Sequence, residues 1–248
     1  MRRFFTEPEN VKDGQAVLIE DAAHITKVLR MSIGDEILIF DGSGMEYTAR
    51  LVEIDKRVCR AEIIETVETA AEPAIKVALF QGIPKAGKME QIVQKAVELG
   101  AAEIYPVMMD RSVVRLDSEK DKKSKTERWS KVAQEAVKQC GRGRVPKVHI
   151  PVSFQQALEN MSKYDLSLMP YEELGHAGQR GLKELLQEKD YSSVAVLIGP
   201  EGGFSGAEVA EVTAVGKPVT VGLGARILRT ETAGSTVLSI IMYENDEI

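Results

Sequence analysis

The residues best suited to chemistry fall in two glycine-bearing segments near the C-terminus, Gly199-Pro-Glu-Gly-Gly-Phe-Ser205 and Leu223-Gly-Ala-Arg-Ile-Leu-Arg-Thr-Glu-Thr-Ala233. Gly202 and Gly203 let main-chain amides approach a ligand where a Cβ would collide. Arg229 keeps its charge and can donate two parallel hydrogen bonds, which suits it to stabilising an anion; Arg226 is the alternative, or else a surface contact. Glu201 and Glu231 lie close by in sequence, although Glu231 falls in the first turn of a helix, where the dipole favours a carboxylate anyway. A third segment, Gly82-Ile-Pro-Lys-Ala-Gly87-Lys88, has the glycine and lysine spacing of a phosphate-binding P-loop. The match fails in detail. Met89 stands where a hydroxyl should ligate Mg²⁺, and Pro84 removes one amide from the cradle. Lys85 and Lys88 are then cations for phosphate contact, or Lys88 simply opens a helix.

Elements must bring these segments together. Val194 to Ile198 and Lys217 to Val221 read as short buried strands, so both loops sit at strand ends, where open α/β sheets bind small molecules. From residue 75 onward strands alternate with helices: strands at 75–81, 103–108, 147–150, 166–169, 194–198 and 219–221, helices at 88–99, 126–140, 154–161, 179–188, 206–215 and 230–243. This spacing predicts parallel strands with crossover helices, an α/β class. The N-terminal part has another rhythm. Short strands are expected at 16–19, 36–40, 46–54 and 57–66, with one helix carrying Ala22, Ile25, Val28 and Leu29 on one face. A small β-barrel of OB-like or PUA-like type fits, and Glu68 to Pro73 reads as the linker behind it.

The chain of 248 residues can bury a substantial core; 44% hydrophobic and 28% charged residues are ordinary soluble values. No apolar run approaches the roughly 20 residues of a membrane span, and the start lacks the apolar core of a signal peptide, so a cytoplasmic protein without membrane association is expected. Cys59 and Cys140 are read as reduced thiols, and His24, His149 and His176 lie too far apart for zinc spacing, so no metal is expected. Net charge is −6. That argues against a nonspecific nucleic-acid coat, but local basic groups (Arg2, Arg3, Lys27 and Arg30; Lys120 to Lys125; Lys138, Arg142, Arg144 and Lys147) suit a structured RNA.

The two signature segments, taken with Arg2-Arg3-Phe4-Phe5, His24 to Arg30, Gly34-Asp35, Lys85, Lys88, Lys95 to Gly100, Arg111-Ser112 and Gln139 to Arg142, resemble in order the RsmE family of small-subunit rRNA uridine-N3 methyltransferases, of the SPOUT class. The resemblance implies a SPOUT-type, trefoil-knotted parallel-sheet domain at 74–248, preceded by a PUA-like β-barrel at 1–70 that holds RNA. It implies S-adenosylmethionine as cofactor, a homodimer, and small-subunit rRNA or the assembled small subunit as partner. The strand ends then offer Met169, Pro170 and Tyr171, Gly199, Pro200, Glu201, Gly202 and Gly203, and Leu223, Gly224, Ile227 and Leu228 for that cofactor. Arg229 would stabilise the uridine anion, and no general base is assigned between Glu201 and Glu231. Arg2, Arg3, Lys27, Arg30, Lys85, Lys88, Arg142 and Arg144 would contact RNA. Phe4 and Phe5 serve as core packing or as a platform for a splayed base. The competing readings are a noncatalytic RNA-binding assembly factor and a P-loop-like ATPase.

Overall fold

Runs of Val, Ile, Leu and Ala build a parallel sheet in the larger part of the chain, as the computed structural model shows for residues 1–85, 87–171, 181–188 and 191–248. Two compact units are present, Met1–Glu72 with Glu135–Val145, and Pro73–Gln134 with Pro146–Ile248. Residues 135–145, expected in the second domain, thus pack within the first unit. The two cysteines accordingly fall in the same unit, and both are free thiols.

In the first unit the strands are β1 (Arg2–Phe5), β2 (Val11–Lys12), β3 (Gln15–Leu18), β4 (Glu36–Phe40), β5 (Met45–Ile54) and β6 (Cys59–Glu68). They form one sheet in the order β1-β4-β5-β6-β3-β2, with only β1 and β4 parallel. Alternation along them turns Phe4, Leu18, Ile37, Ile39, Ala49 and Leu51 into a single core. Each such buried aliphatic or aromatic side chain is worth about 1.5–3 kcal/mol. Phe4 and Phe5 are both buried, so core packing, and not base stacking, is their role. The expected helix is one wide turn, His24–Val28, in which Leu29 N–H reaches back five residues to His24 O at 3.0 Å. That widening leaves Val28 exposed while Ala22 and Ile25 stay buried.

In the second unit the strands are β7 (Lys76–Gly82), β8 (Glu103–Met108), β9 (Lys147–Val148), β10 (Val152–Ser153), β11 (Leu166–Pro170), β12 (Ser193–Ile198) and β13 (Val219–Val221). All pairings are parallel, in the order β10-β8-β7-β12-β11-β13, with β9 beside the first half of β8. The helices are α1 (Lys88–Glu98), α2 (Glu119–Cys140), α3 (Phe154–Met161), α4 (Leu182–Gln187), α5 (Gly206–Val215) and α6 (Thr230–Glu244). α1 buries Met89, Ile92, Val93, Ala96 and Val97, one face at helical spacing. α3 and α5 begin with capping boxes, at Ser153 with Gln156 and at Ser205 with Glu208. The start expected for α4 at Gln179 lies outside the described residues.

Candidate active site

The strands β7 and β12 run side by side with Ile198 beside Gln81, so Gly82 and Gly199 follow at neighbouring positions. A Cβ on Gly82 would sit 2.7 Å from Pro200 N and 2.8 Å from Met109 Sδ. Only glycine therefore lets the turn after β12 close over the end of β7. That turn, Gly199 to Gly203, is fixed by Gly203 N–H donating to Pro200 O at 2.9 Å, with Gly203 at φ +67°. Arg111, just past β8, donates to Gly202 O at 2.9 Å. Glu98, on α1, accepts from Lys95 at 2.7 Å.

The second signature segment reaches the same place through Thr230. Its buried hydroxyl donates to Gly199 O at 2.6 Å and accepts from Gln81 Nε2 at 2.8 Å. Arg229 holds the N-cap position of α6 and makes no side-chain capping bond. The Thr230 hydroxyl ties the first turn of α6 to the ends of β7 and β12. Gln81 gave no signal in the sequence, because an isolated Gln in an apolar run shows no partner until the fold supplies one.

Around this junction lies a cavity of about 480 Å³, lined by Pro170 and Tyr171, Ile198 to Phe204, Ile227 to Thr230, Ala233 and Lys88. Cavities for drug-sized ligands run from about 300 to 1,000 Å³. The cavity gathers Pro170, Tyr171, Gly199, Pro200, Glu201, Gly202, Gly203, Ile227, Leu228 and Arg229, as expected from sequence. Met169, Leu223 and Gly224 do not line it. Met169 points into the core beneath, since the pleat alternates and Pro170 takes the neighbouring place. Leu223 and Gly224 belong to the connection between β13 and α6.

Charge in the cavity is organised by Lys88. Its ammonium lies 3.1 Å from Glu231 and 3.3 Å from Glu201, so it bridges the two carboxylates and is not the free phosphate contact expected of it. The hydrogen bond to Glu231 comes first among the causes that raise its pKa above the ordinary lysine value. Glu231 is held below the usual carboxylate range by its own backbone N–H and by Lys88. Burial pushes Glu201 upward, but backbone N–H groups of Glu201 and Lys85 together with Lys88 outweigh it, and its pKa is lowered. Arg229 is exposed on the cavity wall and forms no ion pair among the described residues.

The basic residues of the first unit divide sharply. Arg2, Lys27, Arg30 and Arg144 are exposed. Arg3 is not available: its guanidinium pairs with Glu46 at 3.0 Å, donates to the carbonyls of Val137 and Arg142, and lies 4.1 Å over the Phe40 ring. Arg142 is buried and bonded to Glu72 at 2.9 Å. Arg3 ties the end of α2 to β1, and Arg142 ties the residues after α2 to Glu72, in place of the expected RNA contact. Among the described residues no cluster of His, Cys, Asp and Glu could hold a metal, and no helix is long and apolar enough to cross a membrane.

A family model described as an RNA methyltransferase domain matches residues 71–242, and one described as an RNA methyltransferase PUA domain matches residues 20–64. The class is therefore that of RNA methyltransferases with a PUA domain. A Bacillus subtilis (strain 168) protein, ribosomal RNA small subunit methyltransferase E, is 39% identical over 252 residues, spanning 99% of this chain and 98% of its own. The protein of that name from Aquifex aeolicus (strain VF5) is 30% identical over 98% of this chain and 99% of its own. A crystal structure of a ribosomal RNA small subunit methyltransferase E from Neisseria gonorrhoeae, bound to S-adenosyl methionine, superposes with a TM-score of 0.85 at 31% identity, covering 98% of this chain and 97% of that one. The chain belongs to the ribosomal RNA small subunit methyltransferase E family.

Proposed function

We propose that this protein transfers a methyl group from S-adenosylmethionine to N3 of one uridine in 16S rRNA. The observation that carries the reading is the meeting of the Gly199–Gly203 turn, the Ile227–Thr230 segment and Tyr171 on one cavity beside the exposed Arg229 guanidinium. The donor set fits the cofactor. Ile198, Pro200, Phe204, Leu228 and Ala233 offer apolar surface for a flat base, and the turns offer amides and carbonyls for its edge.

S-adenosylmethionine supplies an electrophilic methyl carbon, which the attacking nitrogen takes in line as the carbon–sulfur bond breaks. The protein's task is position and charge. Uridine N3 becomes nucleophilic once its proton leaves, and the resulting anion spreads over N3 and two flanking carbonyl oxygens. Arg229 faces that anion as a fixed cation. Lys88 lies between Glu201 and Glu231 and offsets part of their charge, which lessens their repulsion of that anion. Arg2, Lys27, Arg30, Lys85 and Arg144 supply phosphate contacts, with 1–70 as the RNA-holding module and 74–248 as the methyltransferase domain. The threading that makes a trefoil knot, a homodimer and a cytoplasmic location complete the reading.

Titration with S-adenosylmethionine and with ATP tests the proposal. Saturable binding of the first alone is expected; binding of neither leaves an assembly factor, and binding of ATP alone an ATPase. Mass spectrometry of 16S rRNA from cells lacking the protein should then show one methyluridine missing, and an unchanged rRNA would reject the activity.

A further inference from the structure

The segment joining β8 to α2 carries two arginines that the mechanism leaves unused, Arg111 and Arg115. Both are exposed, yet both are held. Arg111 Nη1 donates to Gly202 O at 2.9 Å, and Arg115 Nη2 donates to Asp110 O at 3.1 Å. Each partner is a main-chain carbonyl, which fixes the direction of a guanidinium and leaves its charge in place. Neither arginine forms an ion pair among the described residues. Nearby cations differ: Lys122 pairs with Glu119 at 2.7 Å and Arg128 with Glu90 at 2.8 Å. The carboxylate beside Arg111 in sequence, Asp110, accepts from the Ser205 hydroxyl at 2.7 Å. A Cβ on Gly202 would lie 3.0 Å from Arg111 Cβ, so the arginine stem rests against the turn that lines the cavity without lining it itself. Val113, between the two arginines, is 66% exposed, so the loop presents itself to solvent. In a chain of net charge −6, two oriented and unneutralised guanidiniums at a cavity's edge run against the bulk trend and suit an arriving anion.

We propose that Arg111 and Arg115 clamp the RNA backbone beside the methylated uridine, each taking a phosphate at the edge of the cavity. The proposal rests on the methyltransferase reading for its RNA. A guanidinium offers parallel N–H groups that match two phosphate oxygens, and a single bond to a carbonyl leaves most of its donors for that use. Phosphate contacts fix register and orientation without reading sequence. That is what a reacting base needs if it is to meet a methyl group at one angle. Arg111 serves twice, since the side chain that takes the phosphate also holds Gly202 O, and the seated strand is thereby fixed relative to the turn that walls the cavity. A carboxylate of the cofactor is the poorer fit, because neither arginine lines the cavity.

Binding of the full-length protein to 16S rRNA, measured over a series of salt concentrations, tests the clamp. Arg111→Gln and Arg115→Gln keep an N–H donor for the carbonyl and remove the charge. Each should weaken RNA binding about tenfold at low salt. Each should also reduce the slope of log affinity against log salt by about 0.7–0.9, the share of one phosphate contact. The difference from wild type should shrink as salt rises, and KM for rRNA should increase at low salt. Arg111→Lys and Arg115→Lys, which restore the charge, should recover the slope. Affinity for S-adenosylmethionine, measured by calorimetry, should stay within about twofold in both Gln variants. An unchanged salt slope in either Gln variant overturns the clamp. So does a larger loss of cofactor affinity, which would make the arginines props for the cofactor's turn. Failure of the wild type to bind S-adenosylmethionine would instead strike the methyltransferase reading, since the RNA titration needs no cofactor.

Discussion

The parallel sheet of the second unit carries a charge cluster at each end of its strands, and the two are built differently. Where β7 and β8 begin, Glu103 accepts hydrogen bonds from Tyr105 at 2.9 Å and from His149 at 2.7 Å and pairs with Lys76. Phe80, Tyr105 and His149 stack in succession beside it, with centroids 4.3 and 3.7 Å apart. Glu103 is thus matched by three donors. Where β7 and β12 end, Lys88 ties up Glu201 and Glu231, but Arg229 is left open over a cavity. A closed cluster stabilises a fold, while an open one keeps a charge in reserve for something that arrives. The carboxyl ends of α/β strands are where such reserve charge is expected.

The largest effect should come from removing that reserve. Arg229→Ala deletes a donor aimed at developing negative charge, so kcat should fall by about 10²-fold, as for other lost oxyanion donors. Affinity for S-adenosylmethionine, measured calorimetrically, should stay within about twofold, because the lost interaction belongs to the transition state. A loss below about tenfold, equal to roughly 1.4 kcal/mol of barrier, would remove Arg229 from the role and blur the contrast between the two clusters.

Most of this architecture was legible before any coordinates. The alternation from residue 75 onward predicted nearly every strand and helix, because buried parallel strands are continuous apolar runs and their crossover helices keep a 3.6-residue period. The first turns of α2 escaped, since Lys120 to Lys125 carries no apolar period; Ser118 starts that helix by accepting from Asp121 N–H at 3.0 Å. β1 escaped too, because four residues pairing in parallel with β4 leave no hairpin signal. In the site, the glycine turn and Arg229 could be read from residue type. The bonds of Thr230 to Gly199 and of Arg3 to the end of α2 could not, as each joins residues remote in sequence. A charged side chain looks the same in sequence whether it faces water or a buried carbonyl.

Gly82 offers the next test. Its glycine spacing suggested a P-loop, but its actual constraint is the close approach of Pro200. Gly82→Ala must push backbone against backbone, which overpacking typically penalises by about 1–3 kcal/mol. The open end of the sheet should suffer most: cofactor affinity should drop at least about tenfold, and a variant that binds S-adenosylmethionine normally would show that the turn can move. Thr230→Val should follow with about 1–3 kcal/mol, since it strips a buried donor from Gly199 O and an acceptor from Gln81. Chemical denaturation would measure that cost, and a loss under about 0.5 kcal/mol would mean that water replaces the hydroxyl.

The smallest effect belongs to the closed cluster and appears as a pH dependence. Burial would raise the pKa of Glu103, but hydrogen bonds from Lys76, Tyr105 and His149 prevail and bring it from 4.5 down to about 2. A depressed carboxylate adds stability that is fully present above its unfolded value, near pH 4.5, and is lost as pH falls through about 2. Glu103→Gln keeps the shape and removes the charge. At pH 7 it should lower Tm by about 2–4 °C, the response of a chain this size to about 1 kcal/mol. Between pH 4.5 and 2 the wild type should lose that advantage and converge on the variant. Methyl transfer at pH 7 should be unaffected, because the cluster touches nothing that lines the cavity. A variant with normal stability but impaired turnover would reverse the assignment of the two ends.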